Sequence, residues 1–414
     1  MEKALKELEA RGFIQQCTDI DKLSEVMESE PISIYVGVDP TGKSLHVGHM
    51  VPIFAMAHLQ NYGHRPLIIA GGGTGLIGDP SGKTEMRKIL SVEEIRENTR
   101  MIGEQVAKVV HLDGEKGILL NNYDWLGGLN YIEFLRDIGR HFSVNRMLSF
   151  EGYKQRLERG LSFIEFNYQL LQAYDYLVLN REYNCKLQIG GDDQWGNIVA
   201  GIDLIRRMEG REAFGLTFPL VTRADGKKMG KSEKGAVFLD GELFSPYEFF
   251  QYWRNVNDAD VSRFLKLFTF VPLEEIAELE SLEGQEINRA KERLAFEQTK
   301  IIHGQEEAEK ALEASKAAFS SSVSGLSGQG ESIPTLSIER SELEAGINIL
   351  DLFARTELCS SKSDARRLVS QGGARINEKK IDDIETVIDD SYLEEETLVL
   401  QAGKKRHYRI VTNR

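Results

Sequence analysis

The sequence predicts an α/β protein: a Rossmann-like parallel sheet with a helical insertion, then a helical segment and a small α+β module. Three observations carry this expectation. An apolar, β-prone run at 32–36 empties through a Gly/Pro turn into an apolar, helix-period stretch from 47 to about 61. The same strand–glycine–helix pattern recurs at 186–189, 190–197 and 198–208. Between them a strand at 66–70, a helix at about 91–110 and a strand at 117–121 keep the alternation of a parallel sheet with crossover helices.

At 414 residues the chain exceeds one typical domain. With 41% hydrophobic residues it can bury a large core, and no apolar run approaches a membrane span. The N-terminus is charged and helix-forming, without a signal-peptide pattern. Cys17, Cys185 and Cys359 are scattered and give neither a zinc nor a disulfide pattern, so the expectation is a reduced, cytoplasmic protein. The net charge of −14 argues against a general polyanion binder, but phosphate binding needs only a local basic face.

In chain order, residues 2–29 read as amphipathic helix broken near Gly12, with a cap at Thr18 or Asp19. The stretch 35–49 admits two readings. Gly37-x4-Gly42-Lys43-Ser44 fits the Walker A pattern. Alternatively His46-Val47-Gly48-His49 is the signature: two imidazoles three residues apart share one side of a first helical turn, and Gly48 leaves room near the backbone. That arrangement suits ATP held by its ribose and phosphates. A P-loop enzyme also needs an Asp at the end of an apolar strand, and none is convincing. The second reading needs a distant lysine loop, which Lys228-Met229-Gly230-Lys231-Ser232 supplies.

The run 71–83 packs many glycines behind a strand, so a ligand is expected close to the backbone. Asp79 there offers a carboxylate for an amine, and Lys83 and Arg87 offer cations for phosphate. Residues 124–160, with Trp125, Tyr131, Phe134 and Phe142, interrupt the α/β rhythm; they read equally as a dimer interface or as extra core packing. Tyr168, Gln172 and Asp175 then share one helical face bounded by Leu and Phe, a setting in which polar groups call for a ligand. After the strand at 186–189, Gly191 and Asp193 mark the second nucleotide edge, with a carboxylate for ribose hydroxyls; Asp192, Asp193 and Gln194 exceed what a helix cap needs.

The expected organisation is a catalytic domain at 1–245 with a lysine loop at 223–235, a helical domain at 246–319, a linker at 320–343 and a final module at 344–414. The Ser/Gly composition of 320–330 is that of a flexible connection. In the module a capped helix presents Lys362, Arg366 and Arg367, a glycine turn leads to Arg375, and Lys404, Lys405 and Arg406 open a basic last strand.

Together the His-x-Gly-His and lysine-loop signatures resemble those of class I aminoacyl-tRNA synthetases. The whole chain resembles the bacterial-type tyrosyl-tRNA synthetases, with an S4-like RNA-binding tail. The match is most specific from Tyr35 through the lysine loop. The resemblance implies tyrosine activation by ATP with Mg2+ as its substrate complex, no protein-bound metal site, transfer to tRNA(Tyr), a homodimer, and no membrane or DNA partner. It implies that Tyr35 and Asp175 bind the substrate phenol, that Asp79, Tyr168 and Gln172 hold the ammonium group, and that Gln194 lies near the carboxylate. Asp193 would take the ribose and Asp39 the adenylate, alongside Gly48 and Gly191. Thr41 and His46 would meet the γ-phosphate, and His49 the ribose. Lys83, Arg87, Lys228 and Lys231, with Ser232 beside them, would clamp the pyrophosphate. A site built to hydrogen-bond a hydroxyl rejects the analogue lacking it, and this family is the standard illustration of that rule.

Val36 stands where some members place a ribose-contacting cysteine, Pro52 replaces a hydrogen-bonding helix residue, and Met229-Gly230 is a loop variant. The sequence also admits three other readings: a P-loop NTPase dependent on Lys43, a non-catalytic RNA-binding protein in a synthetase shell, and the tryptophan enzyme. Asp175 beside Tyr35 favours tyrosine over tryptophan, because an indole N–H needs an acceptor and no donor.

Overall fold

Residues 3–11 begin as helix because Glu2 accepts from the Ala4 and Leu5 N–H groups, and they stop at Gly12 in the left-handed region. The computed structural model describes residues 1–81, 90–158, 160–222, 224, 229–232, 235–319, 334–356, 358–377, 379–393, 397–403 and 406–413. They fall into two compact units: Met1–Phe244 with Asn255–Leu294, and Ser245–Arg254 with Ala295–Arg414.

In the first unit α1 (Lys3–Arg11) is followed by a two-residue strand β1 (Gln16–Cys17) and α2 (Ile20–Ser29), which Asp19 caps by accepting from Lys22 N–H. β2 (Ser33–Val38), α3 (Met50–Asn61), β3 (Arg65–Ala70), α4 (Val92–Val106) and β4 (Ile118–Asn121) form the first half of the sheet system. The insertion supplies α5 (Tyr123–Leu126), α6 (Tyr131–Asp137), α7 (Val144–Met147) and α8 (Glu151–Leu157). α9 (Phe163–Tyr183) starts on a capping box of Ser162 and Glu165; β5 (Cys185–Gly191), α10 (Trp195–Glu209) and β6 (Phe214–Phe218) complete the second half.

The strand order is β1-β6-β5-β2-β3-β4, with β2 parallel to both β3 and β5. Chain connections therefore leave β2 to one side and return at β5 on the other, which makes the carboxyl ends of β2 and β5 the topological switch point. A ligand crevice belongs there, and the sequence places its glycine-rich turns at those two ends. Tyr35 on β2 lies beside Gln188 on β5 and Leu67 on β3. Tyr35, Leu67, Ile69, Ala173, Tyr176 and Leu177 lock α9 onto this face. Pro52 sits in the first turn of α3, where a missing N–H costs nothing.

β1 was not foreseen; it pairs Gln16 with Thr217 of β6 and is too short for any periodic signal. The helical stretch 246–319 contributes to both units. α12 (Val261–Phe268) and α13 (Leu273–Glu280) belong with the first. There buried Arg11 donates to the carbonyls of Lys266, Thr269 (3.3 Å) and Val271 (2.9 Å). Arg11→Met leaves those carbonyls without their donor, and should cost about 3 kcal/mol in urea unfolding of the full chain. An unchanged unfolding midpoint would refute the bridging role.

The second unit contains α11 (Pro246–Arg254), the later part of α14 (Ile287–His303) and α15 (Gln305–Phe319). Gln251 donates to Ser315 Oγ between α11 and α15. Its small sheet orders as Lys379–Ile381, Ala374–Ile376, Thr397–Ala402, Arg406–Asn413 and Thr335–Glu339, over helices Ile349–Ala354 and Lys362–Ser370. Leu343, Ile349, Leu352, Phe353, Val369 and Leu398 fill its core.

Candidate active site

The turn after β2 places the first signature. His46 and His49 stack with ring centroids 3.8 Å apart and planes at 23°. His46 Nδ1 accepts from Gly48 N–H at 3.0 Å, and His49 Nδ1 accepts from His46 N–H at 3.2 Å. Because each Nδ1 is an acceptor, the neutral rings carry their proton on Nε2, as a hydrogen-bond donor. Thr41 is exposed on the preceding loop.

The second signature docks on the first. His46 bridges Phe238, Val47 N–H donates to Val237 O, and Val237 N–H donates to Gly230 O. Gly230 has φ +84°, and a Cβ there would lie 2.7 Å from Gly48 N and 2.9 Å from His46 Nδ1. Any other residue at 230 would push the two signatures apart. Lys231 and Ser232 lie in a two-residue strand paired with Gly235–Ala236; only their backbone is described. Lys83, Arg87 and Lys228 lie outside the described residues.

A polar network lines the switch point. Asp39 accepts from Thr74 Oγ1 at 2.8 Å and from the Tyr168 hydroxyl at 3.1 Å. The backbone at Gly71 passes so close that a Cβ would lie 2.1 Å from Asp39 Oδ1. Asp79, nearly buried, accepts from Ser81 N–H at 2.9 Å and from Gln194 Nε2 at 2.7 Å. Asn197 Nδ2 donates to Gln172 Oε1 and Gln194 Oε1. Tyr168, Gln172, Asp79 and Gln194 are thereby brought into one cluster beside Asp39.

Deeper in, Asp175 is 1% exposed, and both carboxylate oxygens are held: Oδ2 by Asn122 Nδ2 at 2.9 Å, Oδ1 by Trp125 Nε1 at 2.7 Å. Asn122 also donates to Thr74 Oγ1 and accepts from Gly73 N–H, so the glycine turn and the carboxylate share one anchor. Burial pushes the Asp175 carboxyl up to about 7, against the lowering effect of those two donors. Burial, then the charge of Asp175, holds the Tyr35 phenol well above its ordinary range, as a neutral O–H donor.

The acids after β5 separate in role. Asp192 Oδ1 accepts from Gln16 Nε2 at 2.7 Å and Thr217 Oγ1 at 3.1 Å, so it ties β1 and β6 to β5. Neither contact of Asp192 is a helix cap, and Asp193 lies apart from it on the Gly191 side. The Asp193 carboxyl is raised by desolvation and then by the charge of Asp79, and a Cβ at Gly191 would lie 2.6 Å from its Oδ1. Val36 is buried and makes no polar contribution.

Thr74, Asn122, Trp125 and Asn197 hydrogen-bond the candidate residues Asp39, Asp175, Gln172 and Gln194, and no local pattern in the sequence marks them for that part. In the sequence Trp125 stands out only as an insertion aromatic. Trp125, Phe134 and Phe142 pack on the core, while Tyr131, Ile132, Val144 and Phe163 are exposed, Ile132 and Phe163 each by 70%. The core-packing reading of the insertion therefore holds for Trp125, Phe134 and Phe142.

In the second unit Arg366 and Arg367 are exposed on the helix Lys362–Ser370, with Arg367 paired to Asp364 and Lys362 to Asp351. Arg375 is exposed and lies across from Lys380, whose chain covers the Gly372 turn. Arg406 donates to Leu358 O, and Lys404 and Lys405 lie outside the described residues. Among the described residues no group of three or more His, Cys, Asp or Glu is arranged to hold a metal ion, and no helix is long and apolar enough to cross a membrane.

Residues 27–320 match the family model of class I tRNA synthetases (W and Y), and residues 327–410 that of the tyrosine–tRNA ligase SYY-like C-terminal domain. The chain is 60% identical to a tyrosine–tRNA ligase of Treponema denticola over 99% of its own length and 100% of the relative. It is 55% identical to one of Borrelia duttonii, again over 99% and 100%. Among solved structures, a C-terminally truncated mitochondrial tyrosyl-tRNA synthetase of Aspergillus nidulans superposes with a TM-score of 0.69 at 30% identity. That match covers 77% of this chain and 95% of the other.

Proposed function

The chain belongs to the tyrosyl-tRNA synthetases of class I, and from that premise we propose how its own residues divide the work. The reaction is activation of L-tyrosine by ATP to tyrosyl-adenylate and pyrophosphate, then transfer of tyrosine to the 3′-terminal ribose of tRNA(Tyr). The proposed functional division is a catalytic domain at 1–245, a helical tRNA-contacting domain at 246–319, a linker at 320–343 and an RNA-binding module at 344–414.

One observation carries the substrate assignment: the buried Asp175, fixed by Asn122 and Trp125 beside the Tyr35 donor. A carboxylate has about four acceptor positions, so two held by the protein leave room for a phenolic O–H. Tyr35 donates to the same phenol oxygen. Asp79, Tyr168 and Gln172 take the ammonium group, and Gln194 sits near the carboxylate. ATP enters as its Mg2+ complex; Asp193 and His49 take the ribose, with Gly48 and Gly191 allowing close approach and Asp39 beside the adenylate. Attack of the tyrosine carboxylate on the α-phosphorus forms the P–O bond and releases pyrophosphate, with no covalent enzyme intermediate. Charge grows on the leaving phosphates, so positioned donors matter more than acid–base groups. Thr41 and His46 Nε2–H supply donors there, with Lys83, Arg87, Lys228, Lys231 and Ser232 as the cationic and hydroxyl clamp. Lys362, Arg366, Arg367, Arg375 and Arg406, with Lys404 and Lys405, contact tRNA.

The Asp175 carboxyl, raised to about 7 when the site is empty, gives a pH prediction. A phenol O–H binds the carboxylate, so binding is linked to loss of a proton from Asp175. Tyrosine affinity should fall as pH drops below about 7, by up to about tenfold per pH unit, and level off above it. Equilibrium dialysis with tyrosine reads this out, and an affinity flat across that range would refute it.

We also place a homodimer on the exposed apolar surface of Tyr131, Ile132, Val144 and Phe163, and the enzyme in the cytoplasm. Ile132→Asp should shift the protein toward monomer in sedimentation equilibrium, weakening association by at least about tenfold. An unaltered dimer would remove that surface from the interface. The experiment for the whole reading is ATP–pyrophosphate exchange with tyrosine.

A further inference from the structure

Asp260 is an aspartate at the N-cap position of α12, yet its side chain caps nothing in its own helix. It is 3% exposed, and its carboxylate is turned to another part of the chain. Oδ2 accepts from the Ala224 N–H at 2.8 Å, and Oδ1 accepts from Arg263 Nη2 at 2.7 Å. The Arg263 guanidinium, stacked 5.3 Å over Phe264, also donates to the Thr222 carbonyl. A carboxylate and its partner arginine thus grip one main-chain donor and one main-chain acceptor two residues apart. Such a grip recognises backbone conformation, whatever the side chains at 222–224.

A cap left unmade forgoes helix stability. A buried carboxylate persists only where it is paired and hydrogen-bonded, as this one is. In the sequence Ala224 stands four residues before Lys228. On the far side of that stretch, Met229 N–H donates to Val221 O, and 237–240 is zipped to the first signature. There Leu239 N–H donates to Leu45 O, and Asp240 N–H to Ser44 Oγ. The exit arm is therefore registered by His46 and its neighbours, and the entry arm by Asp260 and Arg263.

We propose that Asp260 and Arg263 are positioning residues for the activation step, acting through the Thr222 carbonyl and the Ala224 N–H to register the chain on the N-terminal side of Lys228. The inference rests on the assignment of Lys228 to the pyrophosphate side. Neither residue touches substrate; their effect reaches the reaction only through the chain they hold.

The test is pyrophosphate exchange by the full-length protein carrying Asp260→Ala, Asp260→Asn or Arg263→Gln, alone and combined with Lys228→Ala. Asp260→Ala should lower kcat by about tenfold with the KM and equilibrium binding of tyrosine unchanged, and Asp260→Asn, which keeps an acceptor of the same shape, should recover part of it. In the Lys228→Ala background the further loss should shrink to less than about twofold, because both changes remove the same contribution. Arg263→Gln changes a side chain that is 44% exposed, and serves if Asp260→Ala does not fold; it should act the same way. Wild-type kcat in the folded variants, a loss expressed in tyrosine KM, or losses that multiply with Lys228→Ala would each overturn the proposal. If Lys228→Ala alone leaves exchange intact, the Lys228 assignment falls, and with it the route proposed here. If Lys228→Ala is impaired while Asp260→Ala is not, only the positioning role falls.

Discussion

Asp175→Asn should lower kcat/KM for tyrosine activation by about 10²- to 10³-fold. The carboxylate accepts from Asn122, from Trp125 and, in our reading, from the substrate phenol. An amide of the same shape has one oxygen and an NH2 group. It must turn a donor toward Asn122, Trp125 or the phenol, leaving at least one buried donor facing another, and it loses the charge. Because the damage falls on a hydroxyl contact, the tyrosine rate should collapse while the residual phenylalanine rate changes little, so discrimination narrows. Tyr35→Phe, which removes only a neutral hydroxyl, should cost about tenfold. Parallel exchange assays with tyrosine and phenylalanine measure this; equal losses for both amino acids would mean that Asp175 supports the fold of the pocket and not its specificity.

His46→Ala should reduce kcat for activation by about 10²- to 10³-fold while leaving equilibrium binding of tyrosine unchanged. Its Nδ1 fixes the Gly48 N–H and its ring stacks on His49 at 3.8 Å, so Nε2–H is presented in one orientation. Loss of the ring also frees His49 from its stack. The double variant should therefore fall short of the product of the two single losses. Pre-steady-state formation of tyrosyl-adenylate is the appropriate measurement. A loss confined to tyrosine KM would place His46 outside the phosphate-side chemistry.

The parts of this site legible in the sequence are those whose meaning is local. Strand, glycine turn and histidine pair occupy fifteen consecutive residues, and Tyr168, Gln172 and Asp175 declare a common face by helical spacing alone. Asn122 and Trp125 escaped because their partner lies 53 and 50 residues away, and nothing in their own neighbourhood distinguishes them from insertion packing. Asn197 and Thr74 are likewise ordinary helix and turn residues until the fold brings Gln194, Gln172 and Asp39 to them. The role of Asp192 was hidden for a related reason: its partners Gln16 and Thr217 sit on short strands whose pairing no periodicity announces. The P-loop pattern at 37–44 fitted by letter, but here that stretch carries the turn that leads to the stacked histidines, with Ser44 Oγ accepting from Asp240 N–H. The composition of 246–319 pointed to helix and could not show that 255–294 packs with the N-terminal unit, since that depends on long-range contacts such as Arg11 with Lys266, Thr269 and Val271.

The most direct test is ATP–pyrophosphate exchange with tyrosine, tryptophan and phenylalanine in parallel, beside an ATPase control without amino acid. The expected result is exchange with tyrosine alone, abolished in His46→Ala and sharply reduced in Asp175→Asn. Exchange with tryptophan, or ATP hydrolysis that needs no amino acid, would contradict the account.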